Sequence, residues 1–260
     1  MSDSVLVDIS GGVATVTLNR PDSLNSLNLD LKLSLADALR SIAATEGVRV
    51  LVITGSGRGF CVGQDLAEHV EQLKTGVALN TVAEHYNPLL RLIADMPFPV
   101  IAAINGTAAG AGLSLALACD LRIGAVGAKY TTAFTGIGLT MDGGMSWTLQ
   151  RLVGLSKAQE LVYLCQPFTA DQALEWGMLT AVVAADEVLS TARALAEQLT
   201  NAPTAALVQS RRAMAFAASA SFDEALDFES EAQIKAGATE DHKNAVASFL
   251  AKEKPTFRGH

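Results

Sequence analysis

Two places in this 260-residue chain hold groups whose arrangement suits chemistry. The first is Asp142, in Thr140-Met141-Asp142-Gly143-Gly144, after the apolar Ile137-Gly138-Leu139 and before a helical pattern. An Asp ahead of Gly-Gly has two readings. It can cap a helix or close an Asp–Gly turn. It can also be a carboxylate in an apolar pocket, where desolvation raises its pKa and suits it to proton transfer. The second place is the stretch from Ile101 to Asp120, an apolar run, a turn of Gly and Ala from 106 to 112, and an apolar segment that reads as a buried helix. Small side chains in that turn let a ligand approach the backbone. The helix start adds unpaired N–H groups and the positive end of a dipole, which suit an anion or a carbonyl oxygen that becomes one. Tight helix–strand packing explains the same glycines without a ligand.

Other chemistries lack their residues. Gly55-Ser56-Gly57-Arg58-Gly59 follows a strand pattern but does not match GxGxxG, and no GxxxxGK[ST] occurs. Ser114, in Gly112-Leu113-Ser114-Leu115-Ala116, lacks the second glycine of GxSxG. A hydroxyl inside a helix that bonds its own backbone is its simpler reading. The four histidines show no metal-ligand spacing, so no metal site is expected. His85 and Tyr86 fall on a helical stretch and could face a pocket, although a structural or surface role explains each.

The elements that must position these groups follow from periodicity. Val5, Val7 and Ile9 fall on one face of a strand, with Leu6 and Asp8 on the other; Gly11-Gly12 and Val13 to Leu18 complete a hairpin. A helix is expected from about 29 to 44, with Leu31, Leu35, Leu39 and Ile42 on one face. Val48 to Thr54 reads as a strand covered on both sides. A polar, mobile stretch follows Leu66 up to about Thr81, then a helical stretch from about 82 to 95 that Pro88 kinks or restarts. Leu121 to Gly124 is a further strand. Helical patterns dominate from about Ser146, over 146–153, 156–165, 170–175, 187–199 and 203–218, with a short strand at 179–183 and two polar-faced helices between Phe222 and Leu250. The fold class is therefore α/β, strand-rich first and helical last, with a core over 1–200 and a helical region over 201–260.

Half the residues are apolar, enough for a large core. The net charge of −8, with no basic stretch, argues against nucleic-acid partners. No apolar run reaches the ~20 residues that span a bilayer, and no basic-plus-apolar leader precedes the first strand, so no membrane association is expected. Cys61, Cys119 and Cys165 are scattered and odd in number, which fits reduced thiols in a cytoplasm.

Several segments together carry a resemblance. They are Leu18-Asn19-Arg20-Pro21-Asp22-Ser23-Leu24-Asn25-Ser26-Leu27, Arg58 to Leu66, Pro99 through Asp120, Ile137 to Gly144 and Arg151-Leu152-Val153-Gly154. In this order the chain resembles the crotonase superfamily of enoyl-CoA hydratases and isomerases. The resemblance implies a spiral of ββα repeats, C-terminal helices that build a homotrimer or a dimer of trimers, and an acyl-CoA thioester substrate with no further cofactor. It implies that the thioester oxygen sits between the N–H groups of Gln64 and Ala111, the latter after Gly110. CoA would lie near Ser23, Leu24, Ser26, Gly63, Asp65 and Leu66. The acyl-pocket walls are expected from residues 67–95. Family hydratases add water with two glutamates; at those positions stand Ser114 and Phe134. Some Δ3,Δ2-enoyl-CoA isomerases and ring-epoxide isomerases of the family carry a single carboxylate at the position of Asp142. The resemblance therefore implies an isomerase with Asp142 as proton shuttle, Phe134 shielding it from water. A hydratase with atypical residues, or an acyl-CoA binder without activity, is the alternative.

Overall fold

The computed structural model describes residues 3–74, 76 and 79–260. In chain order it forms β1 (Val5–Ser10), β2 (Val13–Leu18), α1 (Leu29–Ala43), β3 (Val50–Gly55), β4 (Gly59–Cys61), α2 (Leu66–Leu73), α3 (Asn87–Ala94), β5 (Val100–Ile104), β6 (Thr107–Ala109), α4 (Ala111–Ala118), β7 (Leu121–Ala125) and β8 (Lys129–Thr131). Then come α5 (Met145–Val153), α6 (Leu155–Leu164), β9 (Phe168–Thr169), α7 (Ala170–Glu175), β10 (Ala181–Val183), α8 (Val188–Thr200), α9 (Thr204–Ala217), α10 (Phe222–Gly237) and α11 (Glu240–Ala251).

The strands form two sheets. The larger has six strands in the order β1-β2-β3-β5-β7-β10; the smaller has four, β4-β6-β8-β9. β3, β5 and β7 follow one another in the first sheet, and β4, β6 and β8 follow in the same sequence in the second. Each turn of chain thus lays one strand in each sheet before its helix, which is the expected ββα spiral. In the larger sheet every pair from β2 to β10 is parallel, as crossovers require. β1 alone joins the larger sheet antiparallel, through a hairpin whose Gly11 and Gly12 both have positive φ, 59° and 80°.

β3 and β5 are buried along their whole length, which explains their unbroken apolar runs. α8 packs on this sheet through Val188, Ala192 and Ala196, the two alanines four residues apart allowing close approach. The expected hairpin forms, and Leu6, Val7 and Ile9 of β1 are all exposed because it is the outermost strand. One expectation is corrected. The stretch after Leu66 is not featureless. Its residues 66–73 form α2, whose N-terminus is capped by the Asp65 carboxylate accepting from the Ala67 and Glu68 N–H groups. Residues 75, 77 and 78 of that stretch lie outside the described residues. Pro88 restarts the helix: a π-helical turn over Val82–Tyr86 runs into α3 with Pro88 in its first turn.

Candidate active site

α4 begins where β6 ends, and its entry is set by Gly110 at φ 51°, ψ −127°, a conformation open chiefly to glycine. The helix is buried throughout, from Ala111 to Leu117. It lies so close to β4 that a Cβ on Gly112 would sit 2.2 Å from the Cys61 carbonyl oxygen. Its N-terminus faces the 63–65 segment: a Cβ on Gly63 would lie 2.9 Å from the Ala109 oxygen and 3.2 Å from the Ala111 nitrogen. The Gly63 carbonyl accepts from the Leu27 N–H at 2.7 Å. In a trans peptide the Gln64 N–H points the opposite way, away from Leu27. Two backbone segments therefore meet with little between them, which glycine at 63 permits.

A cavity of about 190 Å³ opens at this meeting point. Gly63, Gln64, Leu66, Gly110, Ala111, Phe134 and Asp142 line it, and the 66–86 region supplies His69, Leu79, Thr81, Val82 and Tyr86. Asp142 is the one carboxylate among the lining residues. Its Oδ1 is buried without a hydrogen-bond partner. Burial pushes its pKa up from the ordinary value to about 6. The helix cap that its sequence context allowed does not form, since α5 takes Gly144 as its N-cap with no side-chain cap bond. The Asp142 backbone is held instead. Its carbonyl accepts from the Met145 N–H at 3.1 Å and from the Ser114 hydroxyl at 3.0 Å.

The remaining expected residues divide by position. Ser114 is fully buried in α4 and is not among the lining residues; its hydroxyl faces the Gly110 and Asp142 carbonyls. Ser26 and Asp65 bond one another at 3.0 Å, and Arg20 reaches Asp65 at 2.9 Å. Burial works to raise the Asp65 carboxyl, but the Glu68 N–H and the Arg20 guanidinium outweigh it and hold it below its usual value. Ser23 donates to the Arg20 carbonyl at 3.1 Å, and Leu24 takes positive φ at the end of a tight turn. Ser23, Leu24, Ser26 and Asp65 are not among the residues that line the cavity.

Tyr86, which the sequence left free to face a pocket, lines the cavity, while Lys32 and Glu68 behind it escaped the sequence analysis. Lys32 is 2 % exposed, and its ammonium donates to Glu68 at 3.0 Å and Thr81 at 2.8 Å. Glu68 accepts from Gln64 Nε2 at 3.2 Å, and the Tyr86 hydroxyl donates to Gln64 Oε1. The available signal was Lys32 itself, three and four residues before Leu35 and Ala36 on the buried face of α1. Among the described residues no cluster of three His, Cys, Asp or Glu could hold a metal, and no helix is long and apolar enough to cross a membrane.

The Enoyl-CoA hydratase/isomerase family model matches residues 8–260. The 1,2-epoxyphenylacetyl-CoA isomerase of Escherichia coli is 41% identical over 262 residues, covering 100% of both chains. The short-chain-enoyl-CoA hydratase of Clostridium acetobutylicum is 34% identical over 97% of this chain and 96% of its own. A crystal structure from Mycobacterium abscessus assigned to the enoyl-CoA hydratases/isomerases superposes with TM-score 0.94 at 41% identity, covering 98% of this chain and 100% of that one. With the match running through the ββα spiral, the cavity and the C-terminal helices alike, the chain belongs to the enoyl-CoA hydratase/isomerase family, the crotonase superfamily.

Proposed function

We propose that this family member is an acyl-CoA isomerase in which Asp142 moves a proton between two carbons of the acyl group. The thioester oxygen accepts from the Gln64 and Ala111 N–H groups. The Asp142 carboxylate removes a proton from C2 of a 3-enoyl thioester, and the electron pair moves onto the thioester oxygen as a dienolate. The acid so formed returns the proton at C4, which leaves the double bond at C2–C3. The two N–H donors and the α4 dipole hold the oxyanion meanwhile; one such donor is worth about 3–4 kcal/mol in other enzymes. The same carboxylate and donors suit ring isomerisation of an epoxide thioester, the kind of substrate in the name of the Escherichia coli relative.

The observation that carries this reading is the lone carboxylate, its Oδ1 unpartnered, in a wall otherwise without acids. Adding water takes a base for the water and an acid for the carbon. Hydratase is the second reading, since relatives such as that of Clostridium acetobutylicum carry that name. The test compares isomerisation of a 3-enoyl-CoA with hydration of crotonyl-CoA, in the wild type and in Asp142→Asn. The isomerase reading expects the first activity, lost in the variant with CoA-ester binding retained. Full isomerisation by the variant, or hydration as the faster activity, overturns it; turnover of neither leaves an acyl-CoA binder. We also assign a homotrimer or dimer of trimers, supported by exposed Met214, Phe222, Ile234 and Phe249 on α9, α10 and α11. Light scattering in solution tests that assembly; a monomer overturns it.

A further inference from the structure

Lys32 is an ammonium on the apolar face of a core helix, and a buried ion is kept at a cost unless its partners are well placed. Here they are. Its Nζ binds Glu68 of α2 at 3.0 Å and Thr81 at 2.8 Å, and lies 5.5 Å from the centre of the Tyr86 ring. Thr81 Oγ1 is in turn 3.2 Å from His85 Nδ1. One cation on α1 thus ties down α2 and the 81–86 turn, the two pieces of chain that form one wall of the cavity. Glu68 is also fixed by the Leu29 N–H at 2.6 Å. Burial works to raise its carboxyl, but that N–H and Lys32 outweigh it and keep it below its usual value.

Both anchored elements then converge on one side chain. Glu68 accepts from Gln64 Nε2 at 3.2 Å, and Tyr86 donates to Gln64 Oε1. The Gln64 amide is gripped at both ends, while the Leu27 bridge fixes the peptide on its N-terminal side. A backbone donor must hold its direction to within a fraction of an ångström to favour a developing oxyanion, and fixed surroundings supply that precision.

We propose that Lys32 is the positioning residue of the oxyanion site, acting through Glu68 and Tyr86 on the Gln64 side chain to aim the Gln64 N–H. This rests on the oxyanion role given to that N–H above. Lys32 touches no reacting atom. Its effect appears in how strongly an enolate is held, more than in how tightly CoA binds.

The test uses acetoacetyl-CoA, an acidic β-keto thioester whose enolate absorbs in the near ultraviolet. The wild type at saturation is expected to show enolate absorbance at neutral pH. Lys32→Met is expected to lose most of that signal and about tenfold in kcat, with KM changed by less than about threefold. Lys32→Met/Glu68→Gln, which leaves no unpaired charge, is expected to melt nearer the wild type yet keep the same catalytic loss. Gln64→Leu, which keeps the backbone donor and the Lys32–Glu68 pair, is expected to lose enolate absorbance to a similar degree. If the double variant regains wild-type enolate absorbance and kcat, Lys32 serves charge balance alone and the proposal is overturned. Unchanged absorbance in Gln64→Leu overturns it independently, even where the Lys32 variants fail to fold. A wild type that binds acetoacetyl-CoA without forming enolate overturns the oxyanion role itself, a separate outcome.

Discussion

The Ser114 hydroxyl donates a 3.0 Å hydrogen bond to the main-chain carbonyl of Asp142, from the middle of α4 to the loop before α5. A Cβ on Gly143 would sit 2.8 Å from Ser114 Cβ, so loop and helix also touch. The helix that offers the Ala111 N–H and the loop that offers the carboxylate are therefore one unit. The Ser114 side chain is a strut between the two. Ser114→Ala should cost about 1 kcal/mol of stability, the worth of one buried hydrogen bond. It should lower kcat about threefold to tenfold with KM little changed, because Asp142 is freed to wander. Ser114→Glu should melt far lower and gain no hydration of crotonyl-CoA, because the site is fully buried and closed by Gly143. Thermal melts and both assays check this; a hydrating Ser114→Glu refutes it.

On the proposed mechanism Asp142 should give the pH–rate profile an acid limb. The base must be ionised, and burial puts its pKa at about 6. Isomerase kcat/KM should rise with pH through about 6 and level off above. Stability runs the other way. A carboxyl raised on folding favours the native state below the unfolded pKa near 4, and that support is lost as pH climbs through about 6. Asp142→Asn should therefore be more stable than the wild type at pH 8 by about 1–2 kcal/mol, the full linkage value being discounted for partial exposure. The gain should vanish near pH 4. Denaturant melts at the two pH values check the sign.

Local pattern made much of this legible. The hairpin declares itself through Gly11-Gly12 between two strand-like runs, and α1 through an apolar face at a period its own residues set. β6 does not, since its three residues sit inside the Gly/Ala turn and become a strand only by pairing with β4 and β8, far away in sequence. α2 carries Leu66, His69, Val70 and Leu73 at helical spacing, yet Leu66, Val70 and Leu73 are exposed and its apolar run is too short to stand out. Asp142 was visible as a carboxylate beside apolar residues, but its choice between cap and pocket depended on where α5 begins. Lys32 was legible only as a cation on the apolar face of α1; its partners were not, because they come from two other stretches of the chain. Tyr86 illustrates it: an ordinary helical tyrosine in sequence, it reaches Gln64 across 22 residues only once the fold is made.

Phe134 lines the same cavity as Asp142 and is 6 % exposed. On the proposed reading its ring keeps water from the carboxylate and so helps sustain the desolvation that raises the pKa. Phe134→Ala should lower stability by about 2–4 kcal/mol through the lost burial. It should also shift the acid limb of the pH–rate profile downward from about 6 toward the ordinary carboxylate value. The plateau rate should fall as well, because a more acidic carboxyl is a weaker base. An unchanged limb would show that some other group desolvates Asp142.

Gly63 offers the sharpest separation of backbone strain from catalytic geometry. It has φ 86°, and an added Cβ would lie 2.9 Å from the Ala109 oxygen and 3.2 Å from the Ala111 nitrogen. Gly63→Ala thus meets two penalties, a left-handed backbone worth about 1–2 kcal/mol and a contact that pushes the 63–64 and 109–111 segments apart. The second should misdirect both proposed donors and lower kcat by about 100-fold, with a smaller effect on CoA-ester binding. Gly11 supplies the control. It also has positive φ, 59°, but an added Cβ there meets nothing within 4 Å. Gly11→Ala should show the smaller loss in melting temperature that backbone strain alone gives, with wild-type kcat. If Gly63→Ala instead behaved like Gly11→Ala, the close approach of the two segments would have no part in catalysis. The oxyanion would then have to be held by groups other than the Gln64 and Ala111 N–H.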